Sequence, residues 1–166
     1  MPFIPEEKEL DELIAASRSQ RMTACVQTLK ETMADPTEAL RLRWIDINGN
    51  IISINAPVKG HRPRQLEVSS RLIAMLKGLP KTSELIFPTN YRAMQSTFVK
   101  VQKRVAYKLQ NPTMLKISFV TFRHWGATMA TITAEAACCL FRNSSTQDNN
   151  KHHEVYAAHP VQRRRV

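Results

Sequence analysis

The sequence predicts a mainly α-helical domain that carries a small β-hairpin or short antiparallel sheet. Two patterns and one size argument lead there. Apolar residues recur at the i, i+3, i+4 spacing of amphipathic helices through most of residues 1–129. In the middle, that period breaks into a short isoleucine-rich run followed by a turn dense in Pro, Gly and positive charge. The chain has 166 residues and is 43% hydrophobic, enough for one domain with a real core and too short for two.

The elements follow in order. Pro5 to Ser17 reads as a helix with Pro at its first position, acids in its first turn, and Leu10, Leu13 and Ile14 on one side. Met22, Cys25, Val26, Leu29 and Met33 make the stripe of a second helix. Asp35-Pro36-Thr37-Glu38 is a capping-box pattern with Pro just inside it, opening a third helix through about Leu42. At Ile47-Asn48-Gly49-Asn50 the period changes. Ile51, Ile52 and Ile54 suggest a strand, Gln65 to Val68 its partner, and Pro57 to Arg64 the turn between them. Ser69 or Ser70 caps a helix that uses Leu72, Ile73 and Leu76, and Leu85-Ile86-Phe87 is a short extended piece. Met94, Phe98, Val101, Val105 and Leu109 line a long helix, with Lys100, Arg104 and Lys108 at i+4 spacing on its flank and Lys103 nearby. Phe119, Phe122, Trp125 and Met129 form the buried side of a last helix that presents Arg123 and His124.

Net charge is +10, and its placement is informative. Residues 1–40 hold four basic and eight acidic side chains, whereas residues 41–129 hold fifteen Lys or Arg against three acids. So one-sided a block calls for a polyanion. Nucleic acid stands ahead of a membrane surface, because no basic amphipathic helix with a strongly apolar opposite face lies at a terminus. No run of about 18 apolar residues could span a bilayer, and the acidic start lacks a signal-peptide pattern. Cys25, Cys138 and Cys139, two of them adjacent, make no disulfide framework, so a reducing, cytoplasmic setting is expected.

The order of these pieces resembles the catalytic domain of the tyrosine recombinases, the phage-integrase family, and among them integrase-like proteins of archaeal type. The likeness runs from about Phe3 to Met129. It is carried by Glu38-Ala39-Leu40-Arg41-Leu42-Arg43-Trp44-Ile45-Asp46-Ile47, by the Lys59-Gly60 turn, and by Thr121-Phe122-Arg123-His124-Trp125. The resemblance implies that family's catalytic-domain fold, incomplete at its C-terminus and beginning where the catalytic domain begins, without the amino-terminal DNA-clamping domain. It also implies a reaction in which a tyrosine hydroxyl attacks a DNA phosphodiester, forming a 3′-phosphotyrosyl link that a 5′-hydroxyl later reverses. Neither metal nor nucleotide cofactor takes part. The implied partner is double-stranded DNA, with a homo-oligomer assembled on it, no small-molecule substrate and no membrane.

Such a site needs two guanidinium groups on the non-bridging oxygens, a turn lysine for the leaving oxygen, and assisting proton donors. By resemblance, Lys59 is the turn lysine, Arg123 the second clamp arginine and His124 a supporting hydrogen-bond donor. The departures are large. The first clamp arginine belongs three residues before Glu38, where Asp35 stands; as a cap Asp35 is sensible, but as a phosphate ligand its sign is wrong. Losing one such donor typically costs about 3 kcal/mol in a transition state. Arg41 and Arg43 lie along a different part of the helix and are not substitutes. Val120 replaces the His or Lys expected three residues before Arg123, and the Leu-Gly-His that precedes the family's tyrosine is absent. Tyr156 lies roughly where the nucleophile should be, with Gln147 nine residues ahead of it.

Residues 130–166 show no sustained helical or strand period. Permitted codons for Thr131 to Ser145, read from the last base of Thr131, spell YHCRSSMLPVQKLLG, with the final glycine codon incomplete. Those from the second base of Thr146 to Val161 spell HKTITNTMKYTQHIQF. Joined, they restore VQKLLGHKTITNTMKYTQHI, with histidine and tyrosine at the family's separation. The expectation is therefore a domain over 1–129 and, over 130–166, an out-of-frame, poorly ordered tail with a second slip near Ser145–Thr146. The nucleotide sequence decides this, since codons unable to spell those strings refute it.

Three functions fit the sequence. The first is an inactive recombinase-derived domain that keeps the fold and some DNA affinity through Lys59, Arg62, Arg64, Lys100, Lys103, Arg104 and Lys108. The second is an active enzyme using Tyr156, Arg123 and Lys59. The third is a non-catalytic basic regulator descended from an integrase. DNA binding is expected to be weak, largely non-specific and steeply salt-dependent.

Overall fold

In the computed structural model, residues 3–58, 60 and 62–133 are described. The chain falls into two units, Met1–Thr128 and Met129–Val166. Helix α1 (Glu7–Ala16) starts later than a Pro5 start would give. The reason is reciprocal capping: Glu6 and Glu9 form a capping box, the Glu6 N–H donating to Glu9 Oε2 at 3.0 Å. Helix α2 (Gln20–Thr32) is capped by Ser19, and the chain leaves it through Met33 in the left-handed conformation, φ 52°. Leu10, Leu13 and Ile14 meet Met22, Cys25, Val26 and Leu29 in the core. Burial pushes the Cys25 thiol up to about 12, so it stays protonated and unreactive.

Helix α3 (Pro36–Leu40) is shorter than the expected run to Leu42. Leu42 leaves the helix because its carbonyl accepts from the Ile86 N–H at 2.9 Å, while Arg43 bridges Leu85 as an isolated β pair. The expected extended piece at 85–87 thus takes the backbone hydrogen bonds that would have continued the helix. A single 3-10 turn, Trp44–Asp46, leads into the sheet.

That sheet has three strands, in the order β1 (Ile47–Asn48), β2 (Ile51–Ile54) and β3 (Arg64–Glu67), all antiparallel. The sequence reading foresaw the last two and took 47–50 only as a change of period. Gly49 takes φ +60°, which suits a central position of a two-residue hairpin turn. In the β2–β3 register Ile52 faces Leu66 and Ile54 faces Arg64. Ile52 and Ile54 are fully buried, so Leu66 and Arg64 share the side of β3 that turns inward.

Ser69 caps α4 (Ser70–Lys77), accepting from the Leu72 N–H at 3.1 Å. Helix α5 (Tyr91–Leu109) buries Met94, Phe98, Val101 and Val105. A 3-10 segment, Pro112–Lys116, returns the chain, tied to α5 by the buried Gln102 amide, which donates to the Met114 and Ile117 carbonyls. Residues 119–128 then form helix α6. Phe119, Phe122 and Trp125 are its buried stripe, and Phe98 lies with its ring centroid 4.7 Å from Phe119 and 6.0 Å from Phe122.

Two contacts fix α6 against α2. Gly126 lies so close that a Cβ there would fall 2.7 Å from Met33 Cγ and 2.9 Å from the Lys30 carbonyl oxygen. The Lys30 ammonium sits 5.0 Å from the centroid of the Trp125 ring and bonds Asp11 at 2.7 Å and Glu7 at 2.9 Å. Burial opposes the charge on Lys30, but the hydrogen bonds of Asp11 and Glu7 outweigh it and raise its pKa above the ordinary lysine value.

In the second unit, residues 129–133 are helical, with the Thr133 hydroxyl donating to the Met129 carbonyl at 2.9 Å. The expected loss of period at residue 130 is corrected for these few positions, where the threonine hydroxyl bonds back one turn. Residues 134–166, and with them Tyr156 and most of the shifted-frame reading, lie outside the described residues. No described helix is long and apolar enough to cross a membrane.

Candidate nucleic-acid interface

The start of α3 gathers charged groups from several elements. Asp35 caps the helix, its Oδ1 accepting from the Thr37 N–H at 3.0 Å, and Glu38 returns the bond, its Oε2 accepting from the Asp35 N–H at 3.0 Å. The same two carboxylates each face an arginine. Arg123 of α6 directs Nη1 toward Asp35 Oδ2 at 3.5 Å, and Arg64 of β3 directs Nη2 to Glu38 Oε2 at 2.7 Å. Glu38 Oε1 also accepts from the Val58 N–H at 3.1 Å, which pins the start of the β2–β3 turn to α3. The Glu38 side chain is 1% exposed. Burial works against its charge, but Arg64 and the two backbone N–H groups prevail and hold its pKa below the usual glutamate value.

The residues singled out from sequence are distributed unevenly around this corner. Arg123 is brought to the residue standing in the first clamp position, Asp35, although 88 residues separate them. His124 is exposed beside it on α6. Lys59 and Tyr156 lie outside the described residues, although Val58, next to Lys59, is anchored as above. Arg62 is exposed on the turn. Arg64, expected to reach DNA, instead turns inward to Glu38 and ties the hairpin to α3. Lys100, Lys103 and Lys108 are exposed on α5, whereas the Arg104 guanidinium donates to the Ala16 carbonyl at the end of α1. Arg43 pairs with Asp46 at 3.6 Å, and Val120 is exposed.

Glu38 is the residue the sequence reading used only as a landmark. Its role had a signal. Period-two alternation puts Arg64 on the same side of its strand as Leu66, and an inward arginine requires an anion.

A three-strand antiparallel sheet set among helices, with an arginine of the last described helix meeting the start of a short helix beside the hairpin, is the catalytic-domain fold of tyrosine recombinases. Solved structures bear this out. The chain is similar to XerA recombinase at TM-score 0.63 and 20% identity, covering 79% of this chain and 50% of that one. It is similar to the catalytic domain of bacteriophage HP1 integrase at TM-score 0.57 and 21% identity, covering 78% of this chain and 71% of that one. It is also similar to XerH site-specific recombinase bound to its difH substrate in a pre-cleavage complex, at TM-score 0.56 and 19% identity, covering 80% of this chain and 44% of that one. The chain spans about half the length of XerA and less of XerH. No protein-family model and no curated protein matches the sequence.

Proposed function

We propose that this chain is a DNA-binding domain of the tyrosine recombinase type that holds duplex DNA without exchanging strands. The observation that carries the reading is the carboxylate of Asp35 set against Arg123. A phosphoryl clamp needs two cations converging on one anion. Here the second position holds an anion, so charge building on a scissile phosphate meets repulsion where it needs stabilisation. Val120, an exposed side chain with no transferable proton, removes a second helper.

Binding is supported by the cations left at the surface. Arg62 on the turn and Lys100, Lys103 and Lys108 on α5 are exposed, while Arg64 and Arg104 are engaged within the fold. Contacts of this kind read phosphate and not sequence, so the logarithm of affinity falls linearly with the logarithm of salt. Two experiments test the reading. Titration of a duplex at several salt concentrations should give a clear negative slope that flattens when Lys100, Lys103 and Lys108 are replaced by alanine; a flat wild-type slope removes the DNA assignment. A suicide substrate carrying a nicked site should leave no covalent protein–DNA adduct. An adduct that Tyr156→Phe abolishes would restore the active enzyme in its place.

A further inference from the structure

We infer that Asp35 is a built-in stand-in for a phosphate, and that neutralising it uncovers an oxyanion-binding site at Arg123. The two oxygens of Asp35 have separate tasks. Oδ1 serves the backbone at Thr37, and Oδ2 is the one that faces Arg123. The second contact is loose. Charged hydrogen bonds run to about 2.7–2.9 Å, the distances at which Lys30 and Arg64 hold their acids, whereas Arg123 stands at 3.5 Å from Asp35. A carboxylate fixed by its capping duty cannot close on the guanidinium, and a free oxyanion can.

The guanidinium is also well placed to receive one. Its neighbours Phe122 and Trp125 are buried, and Gly126 fits tightly against α2, so the backbone that carries Arg123 cannot drift. Its side chain keeps 29% of its surface open to solvent, against 12% for Asp35. The neighbouring acid, Glu38, is already satisfied by Arg64 and two backbone N–H groups and does not compete for Arg123. What keeps an oxyanion out is the negative charge on Asp35. The ligand class is a tetrahedral oxyanion: inorganic phosphate as the simplest probe and, resting on the DNA-binding reading above, a backbone phosphate of duplex DNA.

Asp35→Asn separates the two tasks, since asparagine caps a helix as well as aspartate and removes only the charge. Wild type, Asp35→Asn and Asp35→Asn/Arg123→Ala should first be matched by circular dichroism and thermal unfolding. Titrated with inorganic phosphate at low salt and followed by amide NMR shifts near Arg123, Asp35→Asn should saturate, while wild type and the double variant should not. With a duplex, Asp35→Asn should steepen the salt slope by about 0.9, the equivalent of one added phosphate contact, and Arg123→Ala in that background should return it. Saturation by phosphate in wild type, or none in a folded Asp35→Asn, overturns the inference. The phosphate arm needs no DNA, so a chain whose Asp35→Asn form takes phosphate but whose wild type ignores duplex loses only the DNA-binding reading.

Discussion

Two corners of this molecule set charges against helix α6, and they differ in how firmly. At the α1–α2 corner one buried cation, Lys30, is held by two carboxylates at 2.7 and 2.9 Å under the face of Trp125. At the α3 corner the acids are buried and the arginines come to them: Arg64 at 2.7 Å and Arg123 at 3.5 Å. Short, enclosed pairs belong to the architecture. The long, half-open pair is the one a ligand can replace. Distance and enclosure separate scaffold charges from site charges here, although all four pairs look alike as sequence.

The comparison can be broken most forcefully at Glu38. Three donors converge on its two oxygens: the Arg64 guanidinium and the N–H groups of Asp35 and Val58. Glu38→Gln turns an amide NH2 toward at least one of them and should cost about 3 kcal/mol in chemical denaturation. The linkage has a definite sign. The Glu38 pKa is lowered on folding, so its contribution is complete above the unfolded value of 4.5 and is lost as pH falls through the lower folded value. Wild type should therefore weaken in that acid window more steeply than Glu38→Gln, and parallel acid profiles would show that Glu38 is not the anchor.

Gly126→Ala comes next. Its added methyl would press on a backbone oxygen as well as on Met33, and overpacking of this kind costs about 2 kcal/mol. A wild-type melting temperature in that variant would mean that α6 sits further from α2 than described. Lys30→Met should cost less, about 1 kcal/mol, because its partners Glu7 and Asp11 are more than half exposed and rehydrate readily. The Lys30 pKa is raised on folding, so its contribution persists below the ordinary lysine pKa and fades as pH climbs through the folded value. Lys30→Met should lack that alkaline loss. Smallest of all, Asp35→Asn should shift the unfolding free energy by less than about 0.5 kcal/mol, because the cap survives and the pair with Arg123 is loose. A large loss there would make Asp35 a scaffold residue and abolish the contrast between the corners.

Much of the fold was legible in sequence because it is periodic. The helices from Leu10 to Val105 declare themselves by spacing, and Asp35-Pro36-Thr37-Glu38 announced its cap correctly. What escaped was too short for a period or satisfied from far away. Strand β1 has two residues, and the 3-10 turns at 44–46 and 112–116 bury little. The end of α3 is set by backbone bonds to Leu85 and Ile86, far downstream in the chain. The site divides the same way. Arg123 and Asp35 were marked as partners in one function and do meet, but Arg64 and Arg104 were counted among surface cations because sequence shows charge and not its neighbours.

Met33 is a bulky residue in a left-handed bend where glycine is the easier choice, and Gly126 is a glycine inside a helix where alanine is. The Met33 side chain fills the space that a side chain at 126 would claim. The two positions thus share one volume between them, assigned to the residue that bears it less comfortably. Drift at either should be tolerated only in step with the other, and a descendant with alanine in place of Gly126 would be expected to have trimmed Met33 first.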